Sequence, residues 1–82
     1  MDNTIRTPWE LGQVIRRYRK SLDLSQEDLS DMTSHKQSTI SELENGKSGV
    51  KIQTIFDILS ALKLELELSA RDKDASDIED VF

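Results

Sequence analysis

Apolar positions recur along this chain with the period of an α-helix in four stretches and with the period of a strand in one. Leu11, Val14, Ile15, Tyr18 and Leu22 fall at i, i+3, i+4, i+7 and i+11, the spacing of one helix face, with Arg16, Arg17 and Lys20 off the stripe. Thr7-Pro8-Trp9-Glu10 precedes them as a capping box with proline at the first helical position, where its missing N–H is no loss. This predicts a helix from Pro8. Ser25 and Asp28 form a second capping box ahead of a thin stripe, Leu29 and Met32, and the pattern then breaks at Thr33 to His35. It resumes with Ile40 and Leu43 in a third helix from about Lys36 to Asn45, stopped by Gly46, which takes the left-handed conformation without a Cβ clash. Such a helix buries only two side chains. Lys36, Gln37, Ser38, Thr39, Ser41 and Glu42 are left to an outside partner. Ile52, Ile55, Phe56, Leu59 and Leu62 place a fourth helix from about Lys51 to Leu62, so four helices share one core.

Leu64-Glu65-Leu66-Glu67-Leu68 alternates strictly, as a strand with one apolar face does. Leu and Glu are also good helix formers, so continuation of the fourth helix is the alternative. No other stretch reads as a partner strand, and an unpaired apolar edge invites another chain. A second copy across a two-fold axis would pair Leu64, Leu66 and Leu68 in an antiparallel ribbon and make a homodimer.

At 82 residues and 35% hydrophobic, with no run long enough to span a membrane and no signal-peptide layout, the chain is expected to be one soluble, cytoplasmic domain. Residues 1–70 form that domain, and 71–82 form an acidic tail. The absence of cysteine excludes a disulfide framework and a thiolate metal site. The net charge of −5 is unevenly placed: residues 1–51 hold eight basic and eight acidic side chains, and residues 52–82 hold three against eight. A binder of phosphate needs a local positive field, not a positive total, and Lys36, Lys47 and Lys51 lie on or after the third helix.

"SQEDL" followed by "STISELENGK" resembles the Cro and repressor class of helix-turn-helix proteins, the XRE family. The resemblance implies an all-α, four-to-five-helix, lambda-repressor-like fold that binds double-stranded DNA. It also implies that Arg19, late in the first helix, pairs with Glu44, before Asn45-Gly46, as a structural ion pair, with a phosphate contact by Arg19 as the functional alternative. With "IRTPWELGQVIRRYRK", "KQSTISELEN" and "TIFDILSALKLELELS" added, residues 5 to about 70 are similar to HipB-type antitoxins. That narrower likeness implies a dimer with a C-terminal strand, repression of its own operon at an inverted-repeat operator, nucleoid association, and binding of a HipA-type serine/threonine kinase toxin. A stand-alone, phage-like repressor without a toxin partner is the alternative. The chain departs from the family at Thr33-Ser34-His35, where apolar-Gly-apolar is usual, so the register of the turn is open. If Ser34 is left-handed it carries roughly 1 to 2 kcal/mol of strain relative to glycine.

Chemistry assigns roles within that reading. Gln26, in the first turn of the second helix, can donate to a phosphate beside free backbone N–H groups. Lys36 stands where a capping hydroxyl is preferred; its ammonium opposes the helix dipole and calls for guanine or phosphate. Gln37 can pair bidentately with adenine, while Ser38 and Ser41 allow close approach to a base edge. Thr39, Asn45 and Lys47 suit backbone phosphates, whereas Glu42 would repel phosphate unless it meets a cytosine amine or faces solvent.

Other residues read more plainly. His35 is taken as a partly buried turn residue replacing an apolar one, with a phosphate contact as the alternative. Trp9 reads as a core edge, with a partner contact as the alternative, and Arg16, Arg17 and Lys20 as a solvated face, with contact to the kinase or the DNA flank as the alternative. One histidine and no cysteine cannot build a zinc site. Gly46-Lys47-Ser48 resembles the end of a phosphate-binding loop, but that motif needs glycine at the position of Ser41 and a helix that follows. No enzyme and no cofactor are expected. The tail is expected to remain disordered when alone. Within it Val81 and Phe82 could anchor on a basic partner surface.

Overall fold

Side-chain caps decide where the first two helices of the computed structural model begin, within a structure that describes residues 4–71. Helix α1 runs Pro8–Ser21, with the Thr7 side chain accepting from the Glu10 N–H at 3.1 Å. Helix α2 runs Gln26–Thr33 behind a reciprocal capping box: Ser25 Oγ accepts from the Asp28 N–H, and the Asp28 carboxylate accepts from the Ser25 N–H, both at 2.9 Å. Those bonds to the charged form hold the Asp28 carboxyl below the usual carboxylate range. Helix α3 (Gln37–Glu44) and helix α4 (Ile52–Ala61) begin at Lys36 and Lys51, neither of which makes a side-chain cap bond.

The stops share one geometry. Asp23, Gly46 and Lys63 lie at φ 57°, 73° and 61°, and each is followed by a residue whose N–H reaches back five positions. The pairs are Leu24 to Arg19 O, Lys47 to Glu42 O and Leu64 to Leu59 O, at 3.1, 3.0 and 2.8 Å. Of these three only Gly46 was legible as a stop. The left-handed turn at Lys63 also settles the choice after α4: the helix does not run on. Residues 64–70 form neither helix nor paired strand on this chain, so the expected ribbon at Leu64, Leu66 and Leu68 would require a second copy.

Ile15, Leu29, Ile40, Leu43, Ile58, Leu59 and Leu62 make the buried cluster, with Leu11, Tyr18, Leu24, Val50, Ile55 and Leu64 packed against it. Helix α3 lies between α1 and α2, and α4 packs on α2. The expected stripes need correction at their edges. Met32 is 53% exposed, so α2 buries only Leu29. Ile52 is 68% exposed and Phe56 half exposed, while Thr54 and Ile58 point inward, because α4 is apolar on two adjoining faces and the core takes only one. Leu22 caps α1 from the surface, and Trp9 is 54% exposed where a core edge was expected. Among the described residues no helix is long and apolar enough to cross a membrane, and no group of three or more potential ligands could hold a metal ion.

Candidate nucleic-acid interface

Helix α3 is held at both ends and left open along one side. At its C-terminal end α1 crosses so closely that a Cβ on Gly12 would lie 2.4 Å from Leu43 O and 2.5 Å from Glu44 O. Only glycine allows that approach. One residue on, the Gln13 side-chain amide donates to the Glu44 carbonyl at 3.3 Å. The Glu44 carboxylate is buried and accepts two bonds from Arg19, Nε to Oε2 at 2.7 Å and Nη2 to Oε1 at 2.9 Å. Arg19 Nη1 also donates to Leu24 O at 2.8 Å, so the guanidinium ties α1, the turn before α2, and α3 into one unit. The bond to Glu44 raises the Arg19 pKa further above its ordinary value, against the opposing effect of burial.

The same carboxylate reaches toward α2. Gln26 Nε2 donates to Glu44 Oε1 at 3.1 Å, which fixes the side chain expected to meet phosphate. An amide nitrogen carries two donors, so one bond to Glu44 leaves the other for an outside acceptor. Glu44 thereby acts as the positioning group for Gln26.

The N-terminal end is built from the residues that depart from the family pattern. Ser34 adopts φ 61° and ψ 16°, the left-handed conformation expected if serine stood in the glycine place, and its N–H bonds Ser30 O at 2.9 Å. The Ser30 hydroxyl donates to the His35 carbonyl, and the Thr33 hydroxyl donates to Leu29 O at 2.8 Å. His35 is half-buried, and its Nε2 lies 2.8 Å from Asp57 Oδ2 on α4. Asp57 also accepts from Gln53 Nε2 at 3.0 Å, and the bonds from His35 and Gln53 hold its carboxyl below the usual range. The His35 link was not anticipated. Nothing in sequence spacing pairs a turn histidine with a carboxylate 22 positions on.

Between these ends Lys36, Gln37, Ser38 and Glu42 are exposed, and Thr39 and Ser41 are half-buried along the flanks. Asn45 is exposed, but its amide turns back to donate to Ser41 O at 2.8 Å, so it also closes the last turn. Lys47, Ser48 and Lys51 continue the exposed surface past Gly46. The structure thus gathers Gln26 and residues 36–47 around one helix, with donors and two ammonium groups outward. Leu64, Leu66 and Leu68 lie elsewhere, and Val81 and Phe82 fall outside the described residues. Leu64 packs on the core, Leu66 is half exposed and Leu68 is 91% exposed.

A sequence model of the helix-turn-helix family matches residues 15–68. No curated protein matches the chain. Solved structures do. A HipB variant in complex with an O2 20mer is 28% identical with a TM-score of 0.81, over 88% of this chain and 100% of that one. HipB in a HipA-HipB-O2-O3 complex is 29% identical with a TM-score of 0.78, over 84% and 97%. HipB in an O1-O2 complex is 30% identical with a TM-score of 0.76, over 82% and 97%. With four helices in this order, an open third helix and a family match across more than half of its length, the chain belongs to the XRE-type helix-turn-helix family.

Proposed function

We propose that this protein is a DNA-binding antitoxin of the HipB type, a cytoplasmic, non-enzymatic repressor that binds an inverted-repeat operator as a homodimer and also engages a HipA-type kinase. The observation that carries the reading is the open face of α3, polar and donor-rich, on a fold similar to HipB in complexes with O2 and O4 20mers and with HipA. Gln37, Ser38 and Ser41 read base edges, because an amide offers a donor and an acceptor in one plane and a serine hydroxyl is short enough for close approach. Lys36 meets guanine or phosphate. Thr39, Asn45 and Lys47 contact the backbone, and Gln26 adds a phosphate contact from the α2 N-terminus with its remaining donor.

The exposed Leu66 and Leu68, following an anchored Leu64, support a ribbon between two copies. Two reading helices related by a two-fold axis match half-sites about 34 Å apart. Residues 71–82 serve the kinase, with Val81 and Phe82 as anchors, since burial of one large apolar side chain contributes roughly 1.5 to 3 kcal/mol.

Footprinting with selected operator fragments tests the assignment. Gln37→Ala should weaken the best site by about 1 to 3 kcal/mol and relax base preference, whereas Lys47→Ala should weaken all duplexes alike and flatten the salt dependence. Leu66→Lys should give monomers in sedimentation and weaker operator binding. Protection of a single asymmetric half-site would exclude the dimeric reading. Deletion of residues 71–82 should reduce binding to a HipA-type kinase and leave the operator affinity unchanged; equal kinase binding removes the tail from the mechanism.

A further inference from the structure

Trp9 is the chain's sole tryptophan, and α1 presents it half exposed, away from the core that takes Leu11, Ile15 and Tyr18 of the same helix. Its position is fixed by the end of the reading helix. Gly46, the left-handed stop of α3, lies against the Trp9 backbone so tightly that a Cβ there would sit 2.7 Å from Trp9 Cα and 2.9 Å from Trp9 N. The residues on either side of Gly46 are Asn45 and Lys47, both exposed and both proposed above as contacts to backbone phosphates. The Trp9 backbone and Cβ therefore stand beside the corner proposed to contact phosphate. Two charges stand close by in sequence. Arg6 is exposed, and the Glu10 carboxylate is folded back, accepting from Arg6 N at 3.3 Å and from Thr7 Oγ1 at 3.1 Å.

We propose that Trp9 is a further DNA-contact residue: its indole lies along the deoxyribose-phosphate strand that flanks each half-site, beside Lys47. The proposal rests on the DNA-binding reading and extends its footprint from α2 and α3 to the start of α1. An indole suits that place chemically. Its apolar face covers sugar carbons, its Nε1–H can donate to a phosphate oxygen, and it carries no acceptor that phosphate would repel. The contact is continuous with the α3 corner and falls on sugar and phosphate, so it adds affinity without base preference.

The probe is a mixed-sequence duplex of about 30 base pairs at roughly 50 mM salt, where backbone binding is strong. Saturation of the full chain with it should shift and quench the tryptophan emission, a signal from one position only. Trp9→Ala should bind about five- to tenfold more weakly, with Trp9→Phe recovering most of that loss. Because a neutral side chain releases no counterion, the salt slope should stay unchanged, in contrast to Lys47→Ala. Circular dichroism and the unfolding midpoint of Trp9→Ala should match the wild type, as expected for a half-exposed side chain. Unmoved emission at saturation with wild-type affinity for Trp9→Ala overturns the proposal and leaves the operator reading standing. No duplex binding by the wild type overturns both.

Discussion

The two ends of α3 are fastened by different physics. The C-terminal end is secured inside the protein: side chains of Arg19 and Glu44 are 9% and 3% exposed, their two bonds are short, and Gly12 brings one backbone against another. At the N-terminal end the fastening lies near the surface, where His35 and Asp57 are 26% and 40% exposed and the turn is closed by hydroxyls and a left-handed serine. A buried bidentate pair is costly to break, because the partner left behind cannot rehydrate. An exposed pair is screened and shares its partners with water. The angle and depth of α3 are therefore set at its C-terminal end. Entry geometry is set at its N-terminal end, next to Gln37 and Ser38.

The largest expected effect tests the buried end. Arg19→Met strands the Glu44 carboxylate in a site built for its partner and should cost about 3 to 5 kcal/mol, a large part of the roughly 4 to 12 kcal/mol expected for a domain of this size. Denaturant unfolding would measure it. The double variant Arg19→Met with Glu44→Leu should recover most of that loss, yet leave Gln26 without its anchor, so stability returns while DNA affinity does not. A double variant no more stable than the single one would mean that the pair acts through more than its charge.

Gly12→Ala comes next. The added methyl meets two backbone carbonyls, which cannot rotate away as a side chain could, so α1 and α3 must part. The expected cost is about 3 kcal/mol, at the upper end for an overpacked core, with a lower unfolding temperature and weaker binding to every duplex. An unchanged melting curve would show that the α1 to α3 crossing yields to an added methyl.

These two positions also show what the chain disclosed before folding. Features that depend on local chemistry were legible: the caps at Thr7 and Ser25, the stop at Gly46, the polar face of the third helix, and the stripe from Leu11 to Tyr18. Features that depend on a neighbour were not. The close approach at Gly12 exists only once α3 lies against it, and His35, read as a partly buried turn residue replacing an apolar one, gains its bond only when Asp57 arrives from α4. The α4 stripe held at Ile55, Leu59 and Leu62 and missed at Ile52 and Phe56 for a similar reason. With Ile52, Ile55, Phe56, Ile58, Leu59 and Leu62 all apolar, two faces satisfy a helical period, and only the packing of α2 selects Ile58 over Phe56. Asp23 and Lys63 as left-handed stops escaped because glycine is the usual signal there. The Arg19 to Glu44 pair came from resemblance, since spacing alone does not join residues 25 apart.

A smaller effect belongs to the surface end and is resolved by pH. Asp57 has its carboxyl held down by His35 and Gln53, so the folded value lies below the unfolded one. The sign follows: this contribution is present above the unfolded carboxylate value, near pH 4, and is lost as pH falls through the lower folded value. Asp57→Asn should therefore be less stable than the wild type at pH 7, and the difference should shrink as thermal scans are taken down to about pH 3. A gap that stays constant across that range would assign the loss to packing instead of charge.

The smallest effect should have the opposite sign. Ser34 holds φ 61° without being glycine, at a strain of roughly 1 to 2 kcal/mol, while replacement by glycine frees the unfolded chain at a cost of about 0.4 to 1 kcal/mol. The bond from its N–H to Ser30 O uses backbone alone and survives the change. Ser34→Gly should therefore stabilise by about 0.5 kcal/mol, visible as a small rise in the denaturant midpoint at constant slope. Gly46→Ala, the reverse change at the other end, meets both the left-handed penalty and a Cβ only 2.7 Å from Trp9 Cα, so its loss should be several times larger. Backbone strain at the N-terminal end falls on an exposed Ser34, whereas glycine at the C-terminal end is required by contact. If Ser34→Gly instead lowered stability by as much as Gly46→Ala, the turn would be fixed by the serine side chain, and the contrast between the two ends would fail.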